Sequence, residues 1–468
     1  MMPTTSLVTE HESSAQATAK PPAPLISCPR SHRLRRLIVF FFVTLFVAAG
    51  GVWWGRQRML LSSAQKAANN DNLAEAEHCL KIASRWAINH AEPLLGRAHV
   101  ARLSSDIDGC RRLLVMAENF GSPPELIRRE QELLKLQSGA HASLSGNRST
   151  LYQLALTDLE SCEAVSKGLL VIGNSAAALA ILDRQLELTP DAPRIVALKA
   201  KVLADTGREA DALPLFAEAV ARNQDLVCAQ IGLADSLLAT GSLPESLLHY
   251  DAAISRLSRF VEPMKVSATD ADRLINCHVA KAHIMLQLKR HDEAIATLKP
   301  LVASYPENFA ARYLLATVYS ETGESRQVID SILPVLGKFP HDVSLNYLLA
   351  SAESLLGNVE RSEQRMQTHL HGRAQLDELK KLELEARTQP PRAEICLRIA
   401  AGYLKYRWDE AEPWLERAYQ LERDSPQVLL AWAAYYQKLG KAEQAARYRE
   451  AALRAWSAVG FNERGRRE

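Results

Sequence analysis

The sequence predicts an all-α chain, a solenoid of stacked helix hairpins preceded by one transmembrane helix. Three observations carry that prediction. A glycine returns every 34 positions, at Gly173, Gly207 and Gly241. Five residues beyond each stands a small residue (Ala178, Ala212, Ser246), and four beyond that a large apolar one (Leu182, Phe216, Tyr250). Leu37 to Trp54 is a run of 18 residues without a charge. From Leu60 onward the apolar residues return at helical spacing, with short breaks and no convincing alternating strand.

Residues 1–29 are rich in Ser, Thr, Ala and Pro, and the run from Pro21 to Pro24 cannot be helical, so a disordered tail with a basic flank is expected over 1–36. The segment 37–54 follows as the expected transmembrane helix. At about 1.5 Å per residue it spans roughly 27 Å, close to a hydrocarbon core of about 30 Å. Trp53 and Trp54 stand where an aromatic belt belongs, and Arg56 and Arg58 end the span. A cleaved signal peptide is the rival reading, since Val47 and Ala49 could flank a cut. The long stretch before the apolar run and the length of the run itself favour an uncleaved anchor. Lys20, Arg30, Arg33, Arg35 and Arg36 precede the span, whereas Arg56, Arg58 and Lys66 follow it. The positive-inside rule then expects a cytoplasmic N-terminus and repeats on the far side, extracytoplasmic or periplasmic.

Each later element follows from the period. Hairpins are expected over 60–137, where Ala76, Leu80 and Ala83 are repeated 34 positions on by Cys110, Leu114 and Ala117. The polar stretch Ser143 to Thr150 makes 138–158 a degenerate unit, and full repeats resume over 159–260. Ala294 lies 48 positions beyond Ser246 rather than 34, which places an insertion at 261–273. The period continues over 274–371 through Ala294, Val328 and Ser362, with Gly323 and Gly357 at the turns. A jump of 49 to Ala411 implies an extra charged helix near Gln375 to Arg387, inside 372–391. The last repeats occupy 392–456, with Gly440 at a turn, and 457–468 is a tail. Ten or eleven units result. A glycine allows the tight turn, a small residue allows two helices to cross closely, and Pro190, Pro306 and Pro340 stop second helices.

This pattern resembles the tetratricopeptide repeat, with further marks of that family at Leu315, Ala316 and Tyr319, at Leu349 and Ala350, and at Tyr436 before Gly440. The large residue that often opens the first helix is missing at Val196 and Gln230, so single units diverge. The resemblance implies a right-handed α-solenoid in which each hairpin buries its apolar face against its neighbours and the stack presents a concave inner surface. It also implies a protein-binding scaffold. Carried onto the in-phase units, the family's groove positions fall on Lys201 and Asp205, Ile231 and Asp235, Val279 and His283, Tyr313 and Thr317, Tyr347 and Ser351, and Cys396 and Ala400. Tyr313 and Tyr347 either hold an extended peptide or fill the hairpin packing. The Lys/Asn pattern with which some relatives clamp a terminal carboxylate is not visible.

Composition narrows the other functions. Lys plus Arg is 56 and Asp plus Glu 54, but residues 1–58 hold seven basic and two acidic residues, leaving 49 against 52 in the remainder. A weakly acidic body argues against nucleic acid as the partner. The seven cysteines (Cys28, Cys79, Cys110, Cys162, Cys228, Cys277, Cys396) make no Cys-x-x-Cys, which removes the zinc ribbon and the dithiol redox motif and leaves buried free thiols as the expectation. His278 and His283 are five apart, and His369 and His371 point to different sides of a helix, so neither pair is placed to share a metal. Asp270 with Asp272, and Asp409 with Glu410, precede apolar helical runs, as helix N-termini favour. Arg447, Arg449 and Arg454 suit a solvated terminal cap.

No nucleophile elbow and no phosphate-binding glycine loop occurs, and the repeats leave no length for a catalytic domain. No catalytic residue, cofactor or metal is expected. The reading is a membrane-anchored scaffold for protein–protein interaction in bacterial envelope assembly or secretion. Its alternative is a cytosol-facing docking receptor or co-chaperone on a membrane.

Overall fold

The computed structural model describes residues 30–87, 90–139, 148–261, 268–388 and 392–464. Among them stand 22 α-helices and one short 3₁₀ turn, with no strand. The chain divides into a short unit, Met1–Arg58, and a large one, Met59–Glu468. The expected tail over residues 1–29 lies outside the described residues.

Helix α1 runs Arg30–Asn69 and contains the expected transmembrane segment. The side chains of residues 37–39 and 42–50 within that segment lie outside the described residues. Among the described residues no helix is long and apolar enough to cross a membrane. In the short unit Phe40, Phe41, Val52 and Trp54 are exposed, and the Arg58 guanidinium covers the Trp54 ring at 4.9 Å.

The large unit is a succession of hairpins. Helices α2 (Leu73–Trp86), α3 (Ala91–Leu103), α4 (Ile107–Asn119) and α5 (Pro124–Gln137) come first. Helices α6 (Arg148–Ala155), α7 (Leu159–Val171), α8 (Ser175–Leu188), α9 (Pro193–Asp205), α10 (Glu209–Arg222) and α11 (Val227–Ala239) follow. The small residues of the 34-residue period, Cys110, Ala178, Ala212, Ser246, Ala294 and Ala411, are wholly buried where two helices cross. Ser246 tolerates that place because its hydroxyl donates to the Ala234 carbonyl at 2.7 Å. Side-chain caps start many helices: Asn72, Asp106, Asp158, Asn174 and Asn308 each accept from the backbone N–H three residues on.

The turn within a hairpin needs one residue in the left-handed region. Gly139, Gly173, Gly207, Gly241, Gly323, Gly357 and Gly440 supply it, with φ between 71° and 83°. Asp71, Ser105 and Lys289 take the same conformation at φ of 58° to 60° without being glycine.

Two irregularities resolve as longer helices. The insertion at 261–273 extends α12 (Leu243–Val261) to 19 residues and α13 (Ala268–Gln287) to 20, with 262–267 outside the described residues. Helices α14 (His291–Ser304), α15 (Phe309–Thr322), α16 (Ser325–Leu336) and α17 (Val343–Leu355) return to ordinary length. In place of a separate helix near Gln375–Arg387, α18 runs unbroken over Val359–Thr388. Its only glycine, Gly372, marks a close approach, since a Cβ there would stand 2.7 Å from Val343. Helices α19 (Ala393–Tyr406), α20 (Glu412–Leu421), α21 (Pro426–Lys438) and α22 (Ala442–Arg464) close the chain, α19 and α20 joined by the 3₁₀ turn Trp408–Glu410.

The last hairpin is less solvated than its arginines suggest. Arg447 pairs with Asp106 at 3.0 Å and Asp108 at 3.2 Å at the start of α4, and Lys441 pairs with Asp272 of α13 at 2.6 Å. The ends of the repeat array therefore meet through charged side chains.

Candidate functional site

The first helices of successive hairpins, α7, α9, α11 and α13, present one face each to a common cavity of about 610 Å³. Residues four apart lie on one helix face, and Lys201 and Asp205 of α9 and Ile231 and Asp235 of α11 line it together. Lys201 and Asp205 stand 3.5 Å apart, and Asp235 accepts a short hydrogen bond from the Tyr250 hydroxyl.

The floor of the cavity is the turn between α1 and α2. The Asp71 carboxylate pairs with Arg273 of α13 and lies 3.9 Å from Arg194 of α9. Arg194 is held by a bidentate pair with Glu163 of α7, at 2.7 and 3.0 Å, and donates to the Ala68 carbonyl at 2.6 Å. Lys167 meets the same Glu163 at 2.7 Å. Arg273 donates to the Asp71 carbonyl at 3.2 Å and to Asp270 at 3.1 Å, and Asp270 accepts from the Ala74 amide at 2.6 Å. The Val227 amide, at the start of α11, donates to the Asn70 carbonyl at 3.0 Å, and Asn223 meets the Asn70 side chain at 3.1 Å. Below this polar layer Ala74 packs with Val227, Leu257 and Leu274.

Charge balance explains how such a buried cluster stands. Burial works to raise the Asp71 pKa, but the Arg273 and Arg194 guanidiniums outweigh it and hold the carboxyl below its usual range. The same contest, won by Arg194 and Lys167, holds Glu163 below its usual range as well. Both arginines are raised, since their carboxylate partners more than offset burial. Cys228, lining the same cavity, is pushed up to about 12 by burial. It is a neutral thiol at physiological pH, not a nucleophile. The six described cysteines are free, and Cys28 lies outside the described residues.

The remaining predicted groove residues follow further along the array. Val279 is half-buried and His283 exposed on α13. Tyr313 is half-buried on α15, its ring stacked on Phe309 at 6.0 Å, and Thr317 donates to the Tyr313 carbonyl at 2.9 Å. Tyr347 of α17 is 50% exposed with its ring 5.3 Å from His369, and Ser351 is half-buried one turn on. Cys396 and Ala400 of α19 are buried in the hydrophobic cluster with Ile399 and Trp432, out of reach of a ligand.

Other singled-out groups have structural partners. His369 is buried against the Val343 carbonyl at 2.9 Å. Asp270 and Asp272 join distant helices rather than only starting α13. His99, Glu130 and Glu160 bring ligand atoms within 4.8 Å of one another, a grouping with no sequence signal, but Arg102 already holds Glu130 at 2.8 Å and Arg129 meets Glu160 at 3.4 Å. Burial opposes the ionised Glu130, yet its His99 and Arg102 partners hold its pKa at about 2. The cluster is an ion-paired brace between α3 and α5.

A family model described as tetratricopeptide repeat matches residues 167–227, 199–260 and 279–327. Residues 167–260 and 279–327 carry tetratricopeptide repeats. The matched stretches contain α9, α10, α11, α14 and α15 entire, so the cavity above is lined largely by recognised repeats. No curated protein matches the chain. Among solved structures, a tetratricopeptide repeat protein from Parabacteroides merdae is 13% identical with a TM-score of 0.37, over 65% of this chain and 99% of that one. YrrB, titled a TPR protein with an unusual peptide-binding site, is 12% identical with a TM-score of 0.34, over 41% of this chain and 91% of that one. Human IFIT1 is 16% identical with a TM-score of 0.34, over 82% and 94%.

Proposed function

We propose that the protein is a membrane-anchored tetratricopeptide scaffold that binds other proteins along the inner face of its repeats. The carrying observation is a stripe on α17: Tyr347 at 50% exposure, Ser351 one turn on, and Leu355 at 75% exposure one turn further. Residues four apart share a face, so a ring, a hydroxyl and an apolar side chain stand in line, with Tyr347 and Leu355 exposed and Ser351 half-buried between them. That is the surface an extended segment of a partner would use, by stacking, hydrogen bonding and burial.

The anchor is supported by the unbroken helix α1 and by the outward large apolar side chains Phe40, Phe41 and Val52. With more basic residues before the span than after it, the repeats face away from the cytoplasm. The Ala-, Leu- and Arg-rich composition fits a bacterial envelope assembly or secretion complex.

The test is photocrosslinking in cells from position 347, with exposed Arg373 on α18 as control. One discrete adduct from 347 and none from 373 is expected. Equal labelling at both, or none at 347, removes the inner face of α17 as the binding surface.

A further inference from the structure

From the way the α1–α2 turn is held, we infer that the starts of α9, α11 and α13 form a recognition site for an acidic turn, filled in the resting chain by Asp71, and that an acidic segment of a partner protein takes its place. The inference rests on the reading that the repeats bind protein, but on a different part of the inner surface from Tyr347.

A turn that merely joined two helices would need no partners 120 to 200 residues away. This one has several within seven residues: Arg194 on the Ala68 carbonyl, Val227 on the Asn70 carbonyl, Asn223 on the Asn70 side chain, Arg273 on Asp71 and Asp270 on the Ala74 amide. They read backbone as well as side chain, which is how a groove holds a peptide. Two arginines face this one turn: Arg273 donates to the Asp71 carbonyl and pairs with its carboxylate, and Arg194 stands 3.9 Å from the same carboxylate while donating to the Ala68 carbonyl. Repeats elsewhere in the chain place glycine at this turn position, so a carboxylate here is not required for the hairpin to form.

The site is also approachable. The 610 Å³ cavity opens directly beside Asp71, along Lys201, Asp205 and Asp235, and offers an incoming segment room before the resident turn leaves. An acidic residue is the partner chemistry that fits, since Glu163 and Asp270 supply two charges against Arg194, Arg273 and Lys167, and Asp71 now supplies the third.

The experiment uses the full chain in detergent and a fluorescent synthetic peptide of residues 64–80, read by anisotropy. Asp71→Gly removes the carboxylate while giving the turn the residue that the other hairpins use. The Asp71→Gly chain is expected to bind the peptide and the unaltered chain to bind it on the order of tenfold or more weakly, because its site is filled. Adding Arg273→Ala to the variant, or replacing the peptide's aspartate by asparagine, is expected to abolish the gain. Equal binding to both chains, or no binding to an Asp71→Gly chain of unchanged helicity, overturns the inference. Either result leaves crosslinking at Tyr347 unaffected.

Discussion

At the scale of single residues, the turn position shows how one place in the repeat is used in two ways. Positions 71, 105, 139, 173, 207 and 241 are spaced by 34, and each has positive φ. Glycine takes that conformation without a Cβ clash, whereas another residue is strained by about 1–2 kcal/mol. Ser105 and Lys289 have little to offset the strain: Lys289 bridges Glu321 from an exposed position, and Ser105 accepts one long contact of 3.4 Å from Gln137. Asp71 offsets it with two arginines. Ser105→Gly and Lys289→Gly are therefore expected to stabilise the chain by about 0.5–1 kcal/mol each in urea unfolding, after the larger entropy of an unfolded glycine is counted. Asp71→Gly is expected to lose about 2–4 kcal/mol despite the easier backbone, because Glu163 and Asp270 alone then face the buried charges of Arg194, Arg273 and Lys167. Stabilisation by all three would mean that the ion pairs at Asp71 contribute nothing.

At the scale of the helix pair, close approach is set by residues too small to notice. Gly232 lies inside α11 and costs helix propensity, yet a Cβ there would stand 2.2 to 2.7 Å from the ring of buried Phe216 on α10. The ring must shift out of its packing to admit the methyl group, so Gly232→Ala is expected to destabilise by about 1–3 kcal/mol although alanine is the better helix former. A gain in thermal midpoint would show that α10 and α11 are not so closely packed. This is also where sequence reading reached its limit at the element scale. Ala178, Ala212 and Ala294 were legible because they repeat, and the paired helices followed from them. Gly232 and Gly372 do not repeat, and their role depends on one neighbour each. The insertions were legible as breaks of period, but whether the added residues make a loop or lengthen a helix depends on packing: α12, α13 and α18 took the second course.

At the scale of the repeat array, the distinctive feature is contact between units far apart in sequence. An ideal solenoid is one-dimensional, each hairpin held by its two neighbours, so a perturbation spreads only along the chain. The period of 34 carries that much and nothing more: it marks in-phase positions such as Lys201, Ile231 and Asp235, which line one cavity, while Asp71, Arg194 and Arg273 were invisible as a set. A charge pair across 202 residues leaves no trace in local pattern. The Val227 amide gives a direct test, since its partner is the Asn70 carbonyl, in a hairpin 157 positions earlier. If the turn truly bridges the array, Asp71→Gly will raise hydrogen exchange at the start of α11 by about tenfold or more, reporting a local opening, while α8, which lies between them in sequence, stays protected. If the array is one-dimensional, the rise will be confined to α2, α3 and α4. The two patterns occupy different peptides and cannot be confused, and the second would reduce the bridging contacts around Asp71 to a surface decoration of the first hairpin.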